Sequence, residues 1–240
     1  MKSLRKVFIG GNWKCNGSVK FVESHMTNVI NSLEFDSNKC DVIISPTNLH
    51  LHQAKLLLSK TSKVQISAQN VGVNDDGAWT GENSAKQLKD FGINWTLTGH
   101  SERRQFFGDT NELVGNKSRK ALDNQISVIA CIGEMLNERE ANKTMEVCTS
   151  QLGAIAKAIT DWSNVVIAYE PVWAIGTGKT ASNDQAQEVH GELRNWLSKN
   201  VSSDAAKKTR IIYGGSVTDK TADALIKMPD IDGFLVIYFY

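Results

Sequence analysis

Proline is scarce in this chain, and long apolar runs are missing from it. Only 3 of its 240 residues are proline and no low-complexity tract occurs, so the sequence contains no evident linker between domains. No apolar stretch approaches the roughly 20 residues of a membrane-spanning helix. The run at residues 7–11 is too short for a signal-peptide core. We therefore expect one domain over residues 1–240, in a cytoplasmic protein that does not engage a membrane.

A surplus of charge of either sign is also absent. The 27 basic and 26 acidic residues leave a net charge of +1, which offers no general attraction for nucleic acid. The four cysteines, Cys15, Cys40, Cys131 and Cys148, lack CxxC or other metal-ligand spacing. We expect reduced thiols, no bound metal and no nucleic-acid partner.

What the chain does contain is a regular alternation of short β-rich runs and amphipathic stretches. Strands are predicted at residues 7–10, 42–45, 64–68, 95–98, 128–131, 165–169, 210–213 and 233–236. Helices are predicted from apolar faces formed by Val19, Val22, Met26, Val29, Ile30 and Leu33, by Met145, Cys148, Leu152, Ile155 and Ile159, and by Ala186, Val189, Leu193 and Leu197. Another helix is predicted to begin at residues 109–112 with a pair resembling a capping box.

This alternation predicts an α/β fold with parallel strands joined by right-handed crossovers. Eight strands in a chain of this length favour a closed (β/α)8 TIM barrel. The alternative is a doubly wound open sheet. No GxGxxG motif follows the first strand, which lowers the odds of a dinucleotide-binding fold.

Polar residues cluster where the predicted strands end. In either architecture the carboxyl ends of parallel strands carry the chemistry, so these side chains are expected to converge on one rim. Taken one at a time, each could equally be a solvated loop residue. The set comprises Asn12, Lys14, Gln69, Asn70, His100, Ser101, Glu102, Glu134, Glu170, Gly214, Gly215 and Ser216.

The stretch after the sixth predicted strand has the composition of a lid, although these residues could equally form an ordinary strand-to-helix loop whose glutamate is solvated. Glu170 stands at the strand tip, and Pro171 ends the ladder because it lacks an N–H. Ser182 and Gln185 then form a helix start, in which each side chain can cap the other's backbone. The predicted lid consists of Pro171, Val172, Trp173, Ala174, Ile175, Gly176, Thr177, Gly178, Lys179, Thr180 and Ala181.

These residue types suggest a reaction. Glu170 could act as a general base, His100 could donate a hydrogen bond to a carbonyl oxygen, and Lys14 could stabilise negative charge there. Backbone N–H groups at Gly176, Gly214 and Gly215 would suit a phosphate. The combination indicates proton abstraction next to a carbonyl, as in isomerisation of a small phosphorylated sugar.

The order and length of the motifs resemble the triosephosphate isomerase family, over nearly the whole chain. The motifs are Asn12-Trp13-Lys14, Thr98-Gly99-His100-Ser101-Glu102-Arg103-Arg104, Cys131-Ile132-Gly133-Glu134, residues 168–179, Tyr213-Gly214-Gly215-Ser216 and residues 232–236.

The resemblance implies interconversion of dihydroxyacetone phosphate and glyceraldehyde 3-phosphate without a cofactor. Glu170, His100 and Lys14 would be the catalytic residues, and Glu102 would orient its neighbours. The substrate would be held by Asn12, Lys14, Gly176, Gly214, Gly215 and Ser216, with Tyr213 and Ser216 latching the lid. The family further implies a homodimer, in which the loop carrying Trp79 and Thr80 enters a pocket of the partner subunit and Thr80 approaches the partner's active site. Cys15, next to Lys14, would lie near that interface.

The resemblance weakens after Val236, where the family continues with a Gly-rich turn and further helices. This chain reads Ile237-Tyr238-Phe239-Tyr240 instead, so we expect the final loop and helix to be missing. Bulky side chains disfavour the backbone of a phosphate-binding turn. Two alternatives therefore stay open beside the isomerase: a catalytically impaired or non-catalytic relative that binds phosphorylated ligands or a partner, and an isomerase of longer phosphosugars.

Overall fold

The computed structural model describes residues 5–175 and 181–237. Eight parallel strands close into one barrel in chain order, and β1 pairs with both β2 and β8. The predicted barrel is thereby confirmed and the open sheet is excluded. The strands are β1 Val7–Asn12, β2 Cys40–Ser45, β3 Gln65–Ala68, β4 Trp95–Thr98, β5 Ser127–Ile132, β6 Val165–Tyr169, β7 Arg210–Tyr213 and β8 Gly233–Ile237.

Helices lie between successive strands. They are α1 Val19–Asn28, α2 Leu51–Leu57, α3 Ala85–Asp90, α4 Ser101–Phe106, α5 Asn111–Asp123, α6 Leu136–Glu140, α7 Thr144–Ala158, α8 Asn183–Asn200, α9 Ser203–Lys208 and α10 Asp219–Leu225. Within the described residues, none of these helices is long and apolar enough to cross a bilayer.

Local sequence explains where several helices begin. Ser182 accepts a hydrogen bond from the Gln185 N–H, and the Gln185 side chain accepts one from the Ser182 N–H, so the predicted capping box at α8 is confirmed. Ser84 and Gln87 form the same box at α3. At α5, Thr110 caps alone, because the third helical residue is Leu113 and has no side-chain acceptor. The reciprocal pair expected there is wrong.

The strands separate two apolar cores. Side chains that point inward fill the barrel, and those that point outward pack under the helices. On β5, for example, Ile129 and Cys131 lie inside while Val128, Ala130 and Ile132 lie outside. Because both faces are buried, the strands read as continuous apolar runs. The inner core consists of Phe8, Ile43, Trp95, Leu97, Ile129, Cys131, Val166, Ala168, Ile212 and Leu235.

Barrel closure depends on a glycine at the start of β8. Gly233 has φ +149°, and a Cβ on it would lie 1.9 Å from the Phe8 carbonyl oxygen. No other residue type fits between β8 and β1 at that distance. The paired strands run on to Ile237 opposite Asn12, one residue beyond the predicted end of β8. Ile237 is thus a strand residue, while residues 238–240 lie outside the described part.

The first predicted helix is only partly correct. Val22, Met26 and Ile30 are buried, but Val19, Val29 and Leu33 are 64%, 37% and 43% exposed. The helix ends at Asn28 and a 3₁₀ turn follows, so the later positions leave the helical repeat. The face that packs on the barrel is therefore a narrow stripe with i, i+4 spacing.

His190 on α8 makes the stability of this fold depend on pH. The ring is fully buried, its Nδ1 donates to the Asp230 carbonyl oxygen at 3.2 Å, and burial lowers its pKa from 6.5 to about 4. Between these values the unfolded chain binds a proton that the folded chain rejects. The contribution of the neutral His190 to the free energy of unfolding is therefore fully present above pH 6.5. This contribution is lost as the pH falls toward 4, by up to about 3 kcal/mol.

We predict that His190→Gln removes this part of the pH dependence. The free energy of unfolding in urea would be measured at several pH values between 4 and 7 for the wild type, His190→Gln and the exposed control His52→Gln. His52→Gln should keep the wild-type slope, whereas His190→Gln should be flatter. Identical slopes for all three proteins would contradict the assignment.

Candidate active site

The closed parallel sheet brings the carboxyl ends of its strands to one rim. Asn12 is the last residue of β1, His100 follows β4, and Glu170 follows β6. All three side chains are buried, at 5%, 6% and 3% exposure. Burial of three polar side chains at this rim identifies it as the candidate site, since buried polar groups need specific partners.

Glu170 is held by the first residues of α4. Its Oε2 accepts a hydrogen bond from the Ser101 N–H at 3.1 Å, and its Oε1 lies 3.2 Å from His100 Nε2. The Glu170 N–H donates to the Ile132 carbonyl oxygen at 2.7 Å, which fixes the backbone at the strand tip. The carboxylate is therefore oriented from both its backbone and its side chain.

The hydrogen bonds of His100 define its protonation. His100 is the N-cap residue of α4, and its Nδ1 accepts the Glu102 N–H at 3.2 Å. An Nδ1 that accepts from a backbone N–H carries a lone pair, so the proton of the neutral ring is on Nε2. That Nε2–H points at Glu170. The imidazole is thus set up as a neutral donor on the site side.

Lys14 has a left-handed backbone, with φ +51°. The Asn12 side-chain oxygen accepts the Lys14 N–H at 2.9 Å, and Gln69 donates to the Lys14 carbonyl oxygen at 2.9 Å and to the Ser45 carbonyl oxygen at 2.8 Å. The Lys14 Nζ lies 2.7 Å from Glu102 Oε1. A non-glycine residue in this region is strained. Asn12 and Gln69 hold it there and aim the ammonium group into the site.

Glu134 supports the start of the predicted lid. It is fully buried, and its carboxylate accepts hydrogen bonds from Tyr169 Oη at 3.1 Å, Trp173 Nε1 at 3.0 Å and Thr144 Oγ1 at 3.2 Å. Its carbonyl oxygen also accepts the Val172 N–H at 3.1 Å. A buried carboxylate needs such donors to offset its lost hydration. The first lid residues are therefore anchored to the end of β5.

The lid itself is described in part. Pro171, Ala174, Ile175 and Ala181 lie in the described residues, with a 3₁₀ turn at Val172–Ala174. Gly176, Thr177, Gly178, Lys179 and Thr180 lie outside the described residues, and so does the donor role expected for Gly176.

The glycines after β7 serve partly as packing residues. The Gly214 N–H donates to the Tyr169 carbonyl oxygen at 2.7 Å. This N–H was expected to bind the phosphate, but in the structure it already has a backbone acceptor. A Cβ on Gly214 would lie 2.9 Å from Glu170 Cγ. On Gly215 it would lie 2.2 Å from the Tyr213 hydroxyl. Ser216 is half-buried at the same rim.

Tyr213 faces the far end of the lid. Burial raises the pKa of Tyr213 to about 12, and the backbone of Ala181 opposes part of that rise. The hydroxyl therefore stays protonated, and the latch role expected for Tyr213 stays a prediction.

A cavity extends from this rim toward the loop at residues 70–82. It has a volume of about 450 Å³ and is lined by Asn12, Lys14, His100, Gly81 and Phe107, among others. Cys15 is exposed on its wall. Trp79 and Phe107 are 51% and 65% exposed although both are large and apolar. Thr80 is exposed beside Trp79.

Gln69 and Glu134 belong to the polar set predicted at the rim, but no catalytic or binding role is predicted for them or for Arg104. Gln69 and Glu134 were visible as polar residues directly after predicted strands, which was the available signal. Arg104 sits in the third position after Ser101, on the buried side of a short helix. Nothing in its local sequence distinguishes it from its neighbour Arg103.

Together these side chains define an acid–base site at the carboxyl rim of a (β/α)8 barrel. An oriented carboxylate, a neutral imidazole donor and an ammonium group suit proton transfer next to a carbonyl.

Comparison with known proteins agrees with this class. The family model described as triosephosphate isomerase matches residues 7–237. A protein of Secale cereale named "Triosephosphate isomerase, chloroplastic" is 52% identical over 231 residues, which is 96% of this chain and 76% of the relative. "Triosephosphate isomerase, cytosolic" of Oryza sativa subsp. japonica is 50% identical over 97% of this chain and 91% of the relative. "Triosephosphate isomerase" of Neurospora crassa is 50% identical, with 97% and 92% covered. The chain belongs to the triosephosphate isomerase family.

We predict that Glu134→Ala destabilises the protein strongly. Trp173, Tyr169 and Thr144 would lose a buried acceptor, and leaving several buried donors unpaired should lower the free energy of unfolding by at least about 3 kcal/mol. Urea denaturation would measure the loss. Glu140→Ala, at an exposed position of α6, is the matched control and should change stability by under about 0.5 kcal/mol. A loss no greater than that of the control would contradict the anchoring role of Glu134.

Proposed function

We propose that this protein interconverts dihydroxyacetone phosphate and D-glyceraldehyde 3-phosphate, as an aldose–ketose isomerase. The observation that carries the proposal is the contact of Glu170 with His100 Nε2 at 3.2 Å, beside Lys14, in a chain about half identical to named triosephosphate isomerases. The substrate is a small phosphorylated triose, and the reaction is a step of glycolysis and gluconeogenesis.

In the proposed reaction Glu170 removes a proton from the carbon next to the carbonyl. The His100 Nε2–H donates to the carbonyl oxygen, where negative charge develops, and the Lys14 ammonium stabilises that charge. Glu170 then returns the proton to the neighbouring carbon, and the hydroxyl proton of the substrate passes to the former carbonyl oxygen, so that the carbonyl and hydroxyl groups exchange places. The substrate oxygen takes the place of Glu170 as the acceptor for His100, so binding exchanges one partner of the imidazole for another.

The residues that hold the substrate are also proposed. The Asn12 Oδ1 accepts the Lys14 N–H at 2.9 Å and so fixes the Lys14 backbone. Asn12 and Lys14 both line the cavity of about 450 Å³ at the rim. Gly215 and Ser216, which follow β7, would receive the phosphate, and Gly214 allows the close approach of Glu170. The lid role predicted for residues 171–181 would exclude water from the site, and residues 176–180 lie outside the described part.

The non-catalytic alternative is not favoured, because the base, the donor and the ammonium group occupy one rim with consistent orientations. A binding protein would have no need of a neutral histidine aimed at a buried carboxylate.

We also propose a single-domain, cytoplasmic homodimer. One barrel runs from Val7 to Ile237, which supports a single domain. Relatives named both cytosolic and chloroplastic are known, and the cytoplasm fits the reduced cysteines of this chain. The half-exposed Trp79 supports docking of the 70–82 loop on a second copy.

The catalytic proposal predicts that Glu170→Gln abolishes most turnover. The amide keeps the size and hydrogen-bonding capacity of the side chain but cannot take the proton, so kcat should fall by about 10²- to 10⁴-fold. A coupled assay with triose phosphates would measure kcat and KM. Glu188→Gln, exposed on α8, should retain wild-type rates. Turnover by Glu170→Gln at the rate of Glu188→Gln would exclude Glu170 as the base.

The dimer proposal predicts that Trp79→Glu yields monomers. A charge at the centre of an apolar contact disfavours association because it must be desolvated. Sedimentation velocity at micromolar protein would give the mass. Leu56→Glu makes the same kind of change at a position that is 72% exposed on α2, and it should leave the dimer intact. A monomeric wild type would refute the dimer outright.

A further inference from the structure

Arg104, on α4, joins three parts of the barrel rim. Its Nε donates to the Gly99 carbonyl oxygen at 2.7 Å, one terminal nitrogen donates to Asn111 Oδ1 at 2.6 Å, and the other donates to the Cys131 carbonyl oxygen at 3.3 Å. These acceptors belong to the end of β4, the start of α5 and the end of β5. One planar guanidinium thus fixes the relative positions of three elements.

All three acceptors are neutral oxygens. Within residues 5–175 and 181–237, Arg104 makes no ion pair shorter than 4 Å, unlike its neighbour Arg103, which pairs with Asp109 at 3.0 Å. Burial lowers the pKa of Arg104, and attraction to Glu170 is among the effects that oppose this shift. A surface arginine of equal charge would avoid this burial.

The segment that Arg104 secures carries most of the proposed catalytic contacts. Gly99 directly precedes His100, and the next two residues supply the Ser101 N–H to Glu170 and the Glu102 carboxylate to Lys14. Rotation of the Gly99 peptide would break the bond to Arg104 and turn His100 at the same time.

Gly99 itself is shaped to receive the guanidinium. Its φ is +67°, and a Cβ on it would lie 2.8 Å from the nearest Arg104 terminal nitrogen and 2.7 Å from a Val114 methyl group. The guanidinium therefore packs against the Cα of Gly99 and also donates a hydrogen bond to the carbonyl oxygen of the same residue. Packing on one side and a hydrogen bond on the other leave the peptide one orientation.

We infer that Arg104 is a positioning residue for the proposed proton transfer, which sets His100 and the α4 backbone relative to Glu170 through its three hydrogen bonds. The inference rests on the proposed isomerase function. Arg104 does not touch the substrate. It acts through the Gly99 carbonyl oxygen, and its role depends more on the planar arrangement of its three N–H donors than on its positive charge.

Two substitutions distinguish the effect of the planar N–H donors from the effect of the positive charge. Arg104→Lys keeps the positive charge but offers no planar set of donors, and Arg104→Gln removes the charge as well. Asn111→Ala removes only one of the three acceptors and serves if the arginine variants do not fold. Arg119→Lys and Arg119→Gln, at a side chain that is 64% exposed, are the matched controls.

The variants would be assayed for kcat and KM with triose phosphates, for inhibition by inorganic phosphate, and for Tm. We expect kcat per folded protein to fall by about 10²-fold in both Arg104 variants, because a misplaced donor loses catalysis steeply. KM and the phosphate inhibition constant should change less than about twofold, since the phosphate site lies after β7. Asn111→Ala should show the same pattern with a smaller loss, and the Arg119 variants should match the wild type.

Several results would overturn the inference. Wild-type kcat in Arg104→Lys would show that charge alone suffices. A rise of KM and of the phosphate constant in proportion to any loss of kcat, or a lowered Tm with unchanged kcat, would mean that the role is structural only. If the arginine variants do not fold, an unchanged kcat in Asn111→Ala would contradict the positioning role of Arg104. A wild type without turnover would instead refute the proposed function, and the inference with it.

Discussion

The closure of β8 onto β1 is the constraint on which the rest of this structure depends. Parallel pairing in chain order sends every strand end to the same rim, and only a closed sheet makes that rim a ring. Closure in turn requires the glycine at position 233, where the backbone of Phe8 comes too close for any side chain. A contact at the opposite end of the barrel from the candidate site thus decides whether Asn12, on β1, can meet Glu170, on β6.

Within the site, each charged group has a partner within the protein. The Glu170 carboxylate contacts the neutral His100 ring, Lys14 pairs with Glu102, and Glu134 accepts hydrogen bonds from uncharged donors around Trp173. Each pair is short and buried or half-buried, which orients the groups before any ligand arrives. The proposed reaction then exchanges protein partners for substrate atoms in the same places, so little rearrangement of the barrel is needed.

The short helix α4 has more influence on the site than its six residues suggest. Its N-cap is the imidazole donor, its first N–H holds the base, and Arg104 ties it to β5 and α5. A helix of this length has little stability of its own. Tertiary contacts must hold it, and a half-buried guanidinium with three fixed acceptors does so with high directional precision.

Much of the fold was predictable because burial on two faces leaves a clear pattern. All eight strands were found from apolar runs, and the α8 capping box followed from Ser182 and Gln185 alone. The first helix was less predictable. Val29 and Leu33 continue its apolar spacing, but the chain leaves the helix after Asn28 to reach β2, and a pattern of side chains does not contain that geometry.

The amino-acid sequence by itself determined the strand-helix order, the polar residues at each strand end and the likeness to one family, because these follow from residue type and local spacing. The tertiary structure alone decided that the Gly214 N–H bonds to Tyr169, that Glu134 anchors Trp173 and that Arg104 reaches Gly99 and Cys131. The last three contacts join residues 39, 5 and 27 positions apart. Hydrogen bonds of this kind depend on distance and direction in space, and only the closed barrel sets those.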